Sequence, residues 1–593
     1  MEKLWEVNND SYTDEQIACL QSKLNRYCNF TITRMLARRL AIDMDKLQNP
    51  DTSESELERV RLFLRPSLDA LHDPFLYRDM DKAIDRLCDA IEHCEKILVY
   101  GDYDVDGTTS VALVYSFLRE FYPFNVFYYV PDRYSEGYGV SYKGIDFAIE
   151  KKCTLIIALD CGIKDNARIE YAAYKGIDFI VCDHHTPGED IPKAVAVLDA
   201  KRADNSYPYS ELSGCGVGFK LLQALCIRRE MPLDCLFAYL DLVAISVVSD
   251  IVPMTGENRV LAYYGLKNIN NNPMTSIAAI ITETGLAEKT ISVEDLLFTI
   301  GPRINAAGRM KSGMDAVKLL ISNDFNVARS FAKEISQCNG DRKEADRKIT
   351  ESALAMLQLD PENGKKSSTV VCGDEWHKGV VGIVASRLID TFYRPTIILS
   401  KKDGLLTGSA RSVSDFNIYD AIYSCRKYLV AFGGHKFAAG LSMKEEVYDD
   451  FRRDFEDYVS IHIQDHQKSP TITIERYISF AEITDEFYYK LQEFQPFGPE
   501  NPEPIFATRG VVNCGKTRAV GKEKPQKHLR LEVTDASGVK MVGIGFGLAK
   551  YAELMRTGNT VDICYTVSQN DFNGKRSLQL MVKDVKVLQK SDE

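Results

Sequence analysis

The run VYGDYDVDGTTS, Val99 to Ser110, places Asp102, Asp104 and Asp106 at alternate positions just after the apolar segment Lys96-Ile-Leu-Val-Tyr100. Carboxylates so crowded repel one another unless they share protons, meet basic neighbours or hold cations. Two more apolar runs end in ionisable residues: Thr154 to Leu159 leads into Asp160, and Phe179 to Cys182 leads into Asp183-His184-His185. A fourth, Leu242 to Ser249, closes on Asp250. Any one of these alone reads as a solvated turn, a Ca²⁺ loop or a helix cap. In an open α/β sheet, however, ligands gather at the carboxyl ends of the strands, and residues about eighty positions apart then converge on one site. Oxygen donors joined by one or two imidazoles suit Mn²⁺ or Mg²⁺ better than structural zinc. The set is large enough for two ions, which could clamp the attacking and leaving oxygens of a phosphoryl displacement.

The elements that must position these residues follow from the pattern. Residues 1–90 read as a helical lead-in without a strong strand, ending in the amphipathic run Met80 to Ile91. From Lys96, short aliphatic runs alternate with helical stretches (96–100, 125–130, 154–159, 179–182, 194–198), the signature of a mostly parallel sheet. Residues 315–361 are charged and helix-favouring, a long connecting helix that Gly340 could interrupt. A second α/β segment spans 362–465, and 470–590 reads as short strands and turns, a small barrel or sandwich.

A chain of 593 residues with 45% hydrophobic and 27% charged content is that of a multi-domain globular protein. With no run long enough to span a bilayer and no apolar signal core in Met1 to Asn8, the expected location is the cytoplasm, with no membrane partner. Fifteen scattered cysteines without a CxxC argue against both a disulfide framework and a zinc ribbon. The net charge of -12 conceals a local basic patch. From Arg509 to Arg530 there are seven Lys or Arg residues and one acid, Glu523, with Phe546 and Phe572 nearby. That patch reads as a single-strand platform or as a solvated hairpin over core aromatics.

Gly301-Pro-Arg-Ile-Asn-Ala-Ala-Gly-Arg309 offers Arg303, Asn305 and Arg309 among small residues, a composition suited to phosphate or to a helix-cap turn. Gly408-Ser-Ala-Arg-Ser412, with Ser409 and Arg411, and Gly433-Gly-His-Lys-Phe-Ala-Ala-Gly440, with Gly434 and His435, have the composition of a phosphate nest. Arg133, after a predicted strand, is a further candidate phosphate contact.

With these residues in place, the sequence resembles the DHH phosphoesterase superfamily and, more narrowly, the RecJ single-stranded-DNA exonucleases. The resemblance rests on Gly101-Asp-Tyr-Asp-Val-Asp-Gly107, Pro131 to Gly139, Leu159-Asp-Cys-Gly162, Asp183-His-His-Thr-Pro-Gly188, Leu212 to Gly218 and Ser249-Asp-Ile-Val-Pro253, together with the three phosphate segments. It covers nearly everything from about residue 80. It departs at Leu198-Asp-Ala200, where relatives commonly carry Asn-Pro. It implies a DHH-type α/β domain (91–314), the connecting helix (315–361), a DHH-associated α/β domain facing the first across a channel (362–465), and an OB-like barrel (470–590) that binds nucleic acid.

The resemblance further implies two divalent cations, Mn²⁺ preferred with Mg²⁺ as the alternative, on Asp104, Asp106, Asp160, His184 and Asp250, with Asp102 in or just behind that set. His185 is expected to touch the scissile phosphate, and the glycine-rich loops to hold the terminal phosphate. The expected activity is 5′-to-3′ hydrolysis of single-stranded DNA to nucleoside 5′-monophosphates, with a role in repair and recombination. A monomer is expected, and candidate partners are a single-strand-binding protein and a DNA helicase. The alternatives are a phosphodiesterase for short oligonucleotides or cyclic dinucleotides and an inactive strand-binding scaffold.

Overall fold

The computed structural model describes residues 3–123, 125–556, 559–572 and 575–587. The chain forms two compact units, 68–468 and a second that joins 1–67 to 469–593.

In the first unit, β1 (Ile97–Gly101), β2 (Val126–Tyr129), β3 (Leu155–Leu159), β4 (Asp178–Cys182) and β5 (Ala196–Leu198) form a sheet of order β2-β1-β3-β4-β5. Every pairing is parallel. β1 and β3 are buried throughout, which explains why they read as continuous aliphatic runs: helices cover both faces of a parallel sheet. The amphipathic run after Met80 packs on this core through Met80, Ala83, Ile84, Leu87 and Ala90. The break between units therefore falls at 67/68 and not at 90, because that helix spends its apolar face on the sheet.

The helices that frame the site are α1 (Val105–Phe121), α2 (Gly214–Arg228), α3 (Leu240–Ser249) and α4 (Gly301–Met310), the last continuing from a π-helical turn at Leu296–Ile300. The connecting helix, α5 (Phe325–Leu359), runs 35 residues without a break at Gly340. Beyond it, β6 (Thr369–Asp374), α6 (Val381–Phe392), β7 (Thr396–Lys402), β8 (Leu405–Arg411), β9 (Leu429–His435) and β10 (Ala438–Lys444) build a mixed sheet of order β9-β10-β8-β7-β6.

In the second unit, strands Phe506–Asn513, His528–Thr534, Lys540–Gly545, Val561–Phe572 and Lys575–Val587 curl into a barrel. It closes where Val512 pairs with Thr534 and Asn513 with Val533. The lead-in contains a strand that its helical patterning did not announce: Leu4–Val7 pairs in parallel with Thr471–Ile474. Ile17, Leu20, Ile32 and Leu36 share one core with Phe487, Phe506, Leu529 and Val561. Among the described residues no helix is long and apolar enough to cross a membrane.

Candidate active site

The alternate spacing of the first three acids follows the turn from β1 into α1. Asp102 leaves the strand; Asp104 is the N-cap of α1, accepting the Gly107 N–H at 3.0 Å; Asp106 lies in the first helical turn. Asp106 is held hardest, accepting N–H bonds from Gly214 (2.7 Å) and Cys215 (2.8 Å) at the start of α2 and the Ser246 hydroxyl of α3 (2.7 Å). Asp160 follows β3 in a left-handed conformation, φ 57°. A Cβ on Gly214 would lie 2.6 Å from the Cβ of Asp160, so a glycine is required there. Asp250 caps the C-terminal end of α3.

These segments converge on His184. Its Nε2 lies 3.1 Å from Asp160 Oδ1 and 3.6 Å from both Asp106 Oδ2 and Asp250 Oδ2. Asp102, Asp104 and Asp160 form a second cluster, and Asp160, His184 and His185 a third, each with ligand atoms within 4.8 Å of one another. Asp102, Asp106, Asp160 and His184 are buried, while Asp104 and Asp250 are half-buried. Burial, and then the neighbouring carboxylates, raise the pKa values of Asp102, Asp104, Asp160 and Asp250.

Asp183 does a different job. Its Oδ1 accepts the His184 and His185 N–H groups and lies 2.8 Å from His185 Nδ1, while Oδ2 accepts from Ile163 N. Burial works to raise its pKa, but the bond and charge of His185 outweigh burial and bring it to about 2. Burial likewise opposes protonation of His185, and Asp183 reverses that, raising the imidazole's pKa. Tyr138 closes this group, its hydroxyl 3.0 Å from His185 Nδ1 and 3.2 Å from the Asp160 carbonyl.

This donor set fits divalent cations. Among the described residues no Lys or Arg lies within 4.0 Å of any of the five acids other than Asp183, and Asp102 Oδ1 and His184 Nδ1 are buried without a hydrogen-bond partner. A cluster of buried carboxyls without a Lys or Arg partner is held by protons or by bound cations, and ionises fully only with the latter.

The phosphate candidates divide. Gly301 to Arg309 forms α4, where Arg309 takes Asn305 Oδ1 (3.2 Å) and the Gly379 carbonyl (2.9 Å) and Arg303 donates to the Thr299 carbonyl (2.7 Å). Asn305 therefore aims Arg309. Ser409 and Arg411 lie on β8, with Arg411 Nη1 donating to Ser409 Oγ at 2.7 Å. Arg411 Nη2 stands 2.9 Å from where a Gly382 Cβ would be, at the start of α6. Arg133 stacks over Tyr103 at 4.5 Å. Burial, then Arg133, lowers the Arg309 pKa to about 10. Gly434 and His435 lie on β9 beside an exposed hairpin turn, not in a loop nest. Through Ala438 on β10, the register puts His435 two strands from Arg411.

Residues 96–247 match the DHH family, N-terminal domain; 364–460 match the DHHA1 domain; and 474–584 match the RecJ OB domain. The single-stranded-DNA-specific exonuclease RecJ of Dickeya dadantii is 33% identical over 541 residues, 88% of this chain and 92% of that protein. The chain belongs to the RecJ family. The Bacillus subtilis RecJ is 34% identical over 539 residues, covering 91% of this chain and 66% of its own length. A crystal structure of RecJ from Thermus thermophilus in complex with Mn²⁺ superposes with a TM-score of 0.81 at 25% identity, covering 98% of this chain and 79% of that one.

In this RecJ-family chain, sequence reasoning missed Tyr138, the clamp of Asp183 on His185, and the loop at the start of α6. In that loop His377 lies edge-on to Tyr134, whose hydroxyl donates to the Arg309 carbonyl at 2.5 Å. Tyr138 and Tyr134 fall within Pro131 to Gly139, but nothing in the spacing says what a tyrosine hydroxyl will meet. On the barrel, Phe546 is 62% exposed and lies against His528. The Phe572 side chain lies outside the described residues. Part of the basic run is neutralised locally, Lys527 by Glu523 and Arg530 by Glu532.

Proposed function

We propose that this chain is a two-metal exonuclease that hydrolyses single-stranded DNA from its 5′ end to nucleoside 5′-monophosphates, serving repair and recombination. The observation that carries the reading is a pair of unneutralised clusters in one unit: acids without a cationic partner and, across α4, arginines without an anionic one. Asp104, Asp106, Asp160, His184 and Asp250 would hold two divalent cations, Mn²⁺ preferred, and Asp102 would complete the set. Bound there, the cations supply Lewis acidity at the phosphoryl oxygens and a nucleophile at neutral pH.

The protein's own groups do the rest. Asp183 fixes the His185 ring and favours its protonated form, so His185 is suited to touch the scissile phosphate and hand a proton to the departing oxygen. Arg133, Arg411, Ser409 and the start of α6 receive the terminal phosphate, and Arg309 is aimed by Asn305 and the Gly379 carbonyl. The barrel offers Phe546 for stacking and cations such as Arg518 for the backbone. The family resemblance makes a monomer the working form and a single-strand-binding protein and a DNA helicase the expected partners.

The test is digestion of 5′-labelled single strands with Mn²⁺, which should release labelled mononucleotides. Asp106→Ala and His184→Ala should abolish release while leaving the fold intact by circular dichroism. Full activity in either variant would remove the site assignment; cleavage of dinucleotides but not of long strands would favour the short-oligonucleotide phosphodiesterase.

A further inference from the structure

Five guanidinium groups gather around α4: Arg133, Arg303, Arg309, Arg342 and Arg411 are all half-buried, and among the described residues none lies within 4.0 Å of a carboxylate. Four belong to segments already singled out. Arg342 does not; it sits in the charged run of α5, where a solvated helix face is the ordinary expectation. The structure departs from that expectation. Arg342 Nε donates to Oδ1 of the buried Asn339 at 3.2 Å, and the nearby carboxylate, Asp346, is engaged by Arg387 at 2.8 Å. Burial, then Arg387 and Arg303, disfavours the Arg342 charge against a pull from Asp346 that favours it, and Arg342 in turn adds to the pressure on Arg309.

Helix α4 sets the order of these groups along the site. A Cβ on Gly301 would lie 2.5 Å from Ser249 Oγ, next to Asp250, and one on Gly308 would lie 2.4 Å from the Tyr103 carbonyl, between Asp102 and Asp104. The helix therefore passes the acid cluster from its Asp250 side to its Asp104 side, a span of about 10 Å at 1.5 Å per residue. Arg309 stands at the Asp104 end with Arg133 and Arg411, and Arg303 at the Asp250 end, where its Nε is buried without a partner. Arg342, on the helix packed alongside, is close enough to act on both. Guanidinium groups strung along a helix without a carboxylate in ion-pair contact match an anion that is itself extended.

We propose that Arg342, together with Arg303, binds a second backbone phosphate of the strand, on the opposite side of the acid cluster from the terminal-phosphate group formed by Arg133, Ser409 and Arg411. The assignment rests on the exonuclease reading and deepens it, because a strand held at two phosphates on either side of the cleaved bond is pulled taut across the acids. It makes α5 part of the binding surface and sets a minimum length for a good substrate.

The experiment uses short 5′-phosphorylated strands carrying one neutral methylphosphonate linkage, moved stepwise from the 5′ end, with the full-length protein and Mn²⁺. The parent should show a KM penalty at one linkage beyond the cleaved bond. Arg342→Gln should raise KM on the all-phosphate strand about tenfold and erase the penalty at that linkage alone, and Arg342→Lys should recover part of the affinity. Normal cleavage by Arg342→Gln with the parent's methylphosphonate profile would overturn the Arg342 assignment and leave the exonuclease reading standing. A parent that releases nothing from any strand would overturn both. If Arg342→Gln melts far below the parent, Arg342→Lys carries the comparison: a KM and profile unchanged from the parent's even at high salt would overturn the proposal.

Discussion

Asp160 carries the conflict at the heart of the site: a carboxyl buried among four others, with an imidazole at 3.1 Å and no Lys or Arg within 4.0 Å among the described residues. Its folded-state pKa is raised, by burial first and then by Asp106 and the other acids. The folded chain therefore holds this proton to higher pH than the unfolded chain does. The resulting penalty on stability is absent below about pH 4 and grows as pH rises through the folded value. We expect metal-free Asp160→Asn to be more stable than the parent at pH 8 by about 1–3 kcal/mol, with the difference closing toward pH 4. Mn²⁺ should reverse the order, raising the parent's melting midpoint more than the variant's. Thermal melts with and without chelator decide it; a metal-free parent more stable than the variant at pH 8 would contradict the electrostatic account. The alternate acids were legible because a strand exit, an N-cap and a first helical turn fall two residues apart. The lock of Asp183 on His185 was not, since adjacent residues do not reveal which turns inward.

At the level of elements, the connecting helix tests how far local propensity matters. Gly340 is exposed in the interior of α5, and a Cβ there would meet nothing within 4 Å. Glycine in such a position costs helix stability through its backbone freedom. Gly340→Ala should therefore stabilise unit 68–468 by about 0.5–1 kcal/mol in denaturant melts, with strand cleavage unchanged; a loss of stability would mean that the helix bends there in solution. Four of the five parallel strands were visible as aliphatic runs because both faces are covered, whereas the edge strand Val126–Tyr129 is aromatic and half-buried. The glycine-rich segment 433–440 has the composition of a nest, but β9 and β10 pair across it as a hairpin, β10 pairs on with β8, and His435 is exposed.

For the whole molecule, the consequence of the two units is a rule about truncation. Residues 1–67 and 469–593 share one apolar core, whereas 68–468 has its own and holds the complete acid and arginine sets. A 68–468 fragment should fold and cleave short strands with Mn²⁺, but bind long strands more weakly. Its salt dependence should be shallower, by about 0.7 in the log–log slope for each strand phosphate that the missing barrel would have neutralised. A 1–468 fragment should aggregate, because Ile17, Leu20, Ile32 and Leu36 are left without the barrel residues that cover them. Size-exclusion chromatography and salt-titrated binding compare the two; a monomeric, cooperatively melting 1–468 fragment would refute the shared core.

What the sequence by itself determined was chemistry at the ends of strands: which acids and histidines would meet, that they would want cations, and that a small all-β segment, barrel or sandwich, would follow two α/β segments. Those features are written in local patterns of period two, in apolar runs and in caps. Only the tertiary structure decided that Asp106 rests on the start of α2, that Arg342 joins an arginine arc, and that the lead-in completes the core of the barrel hundreds of residues away. Each of these depends on which surface meets which across a long stretch of chain, and pairing of that kind leaves no periodic trace in either partner.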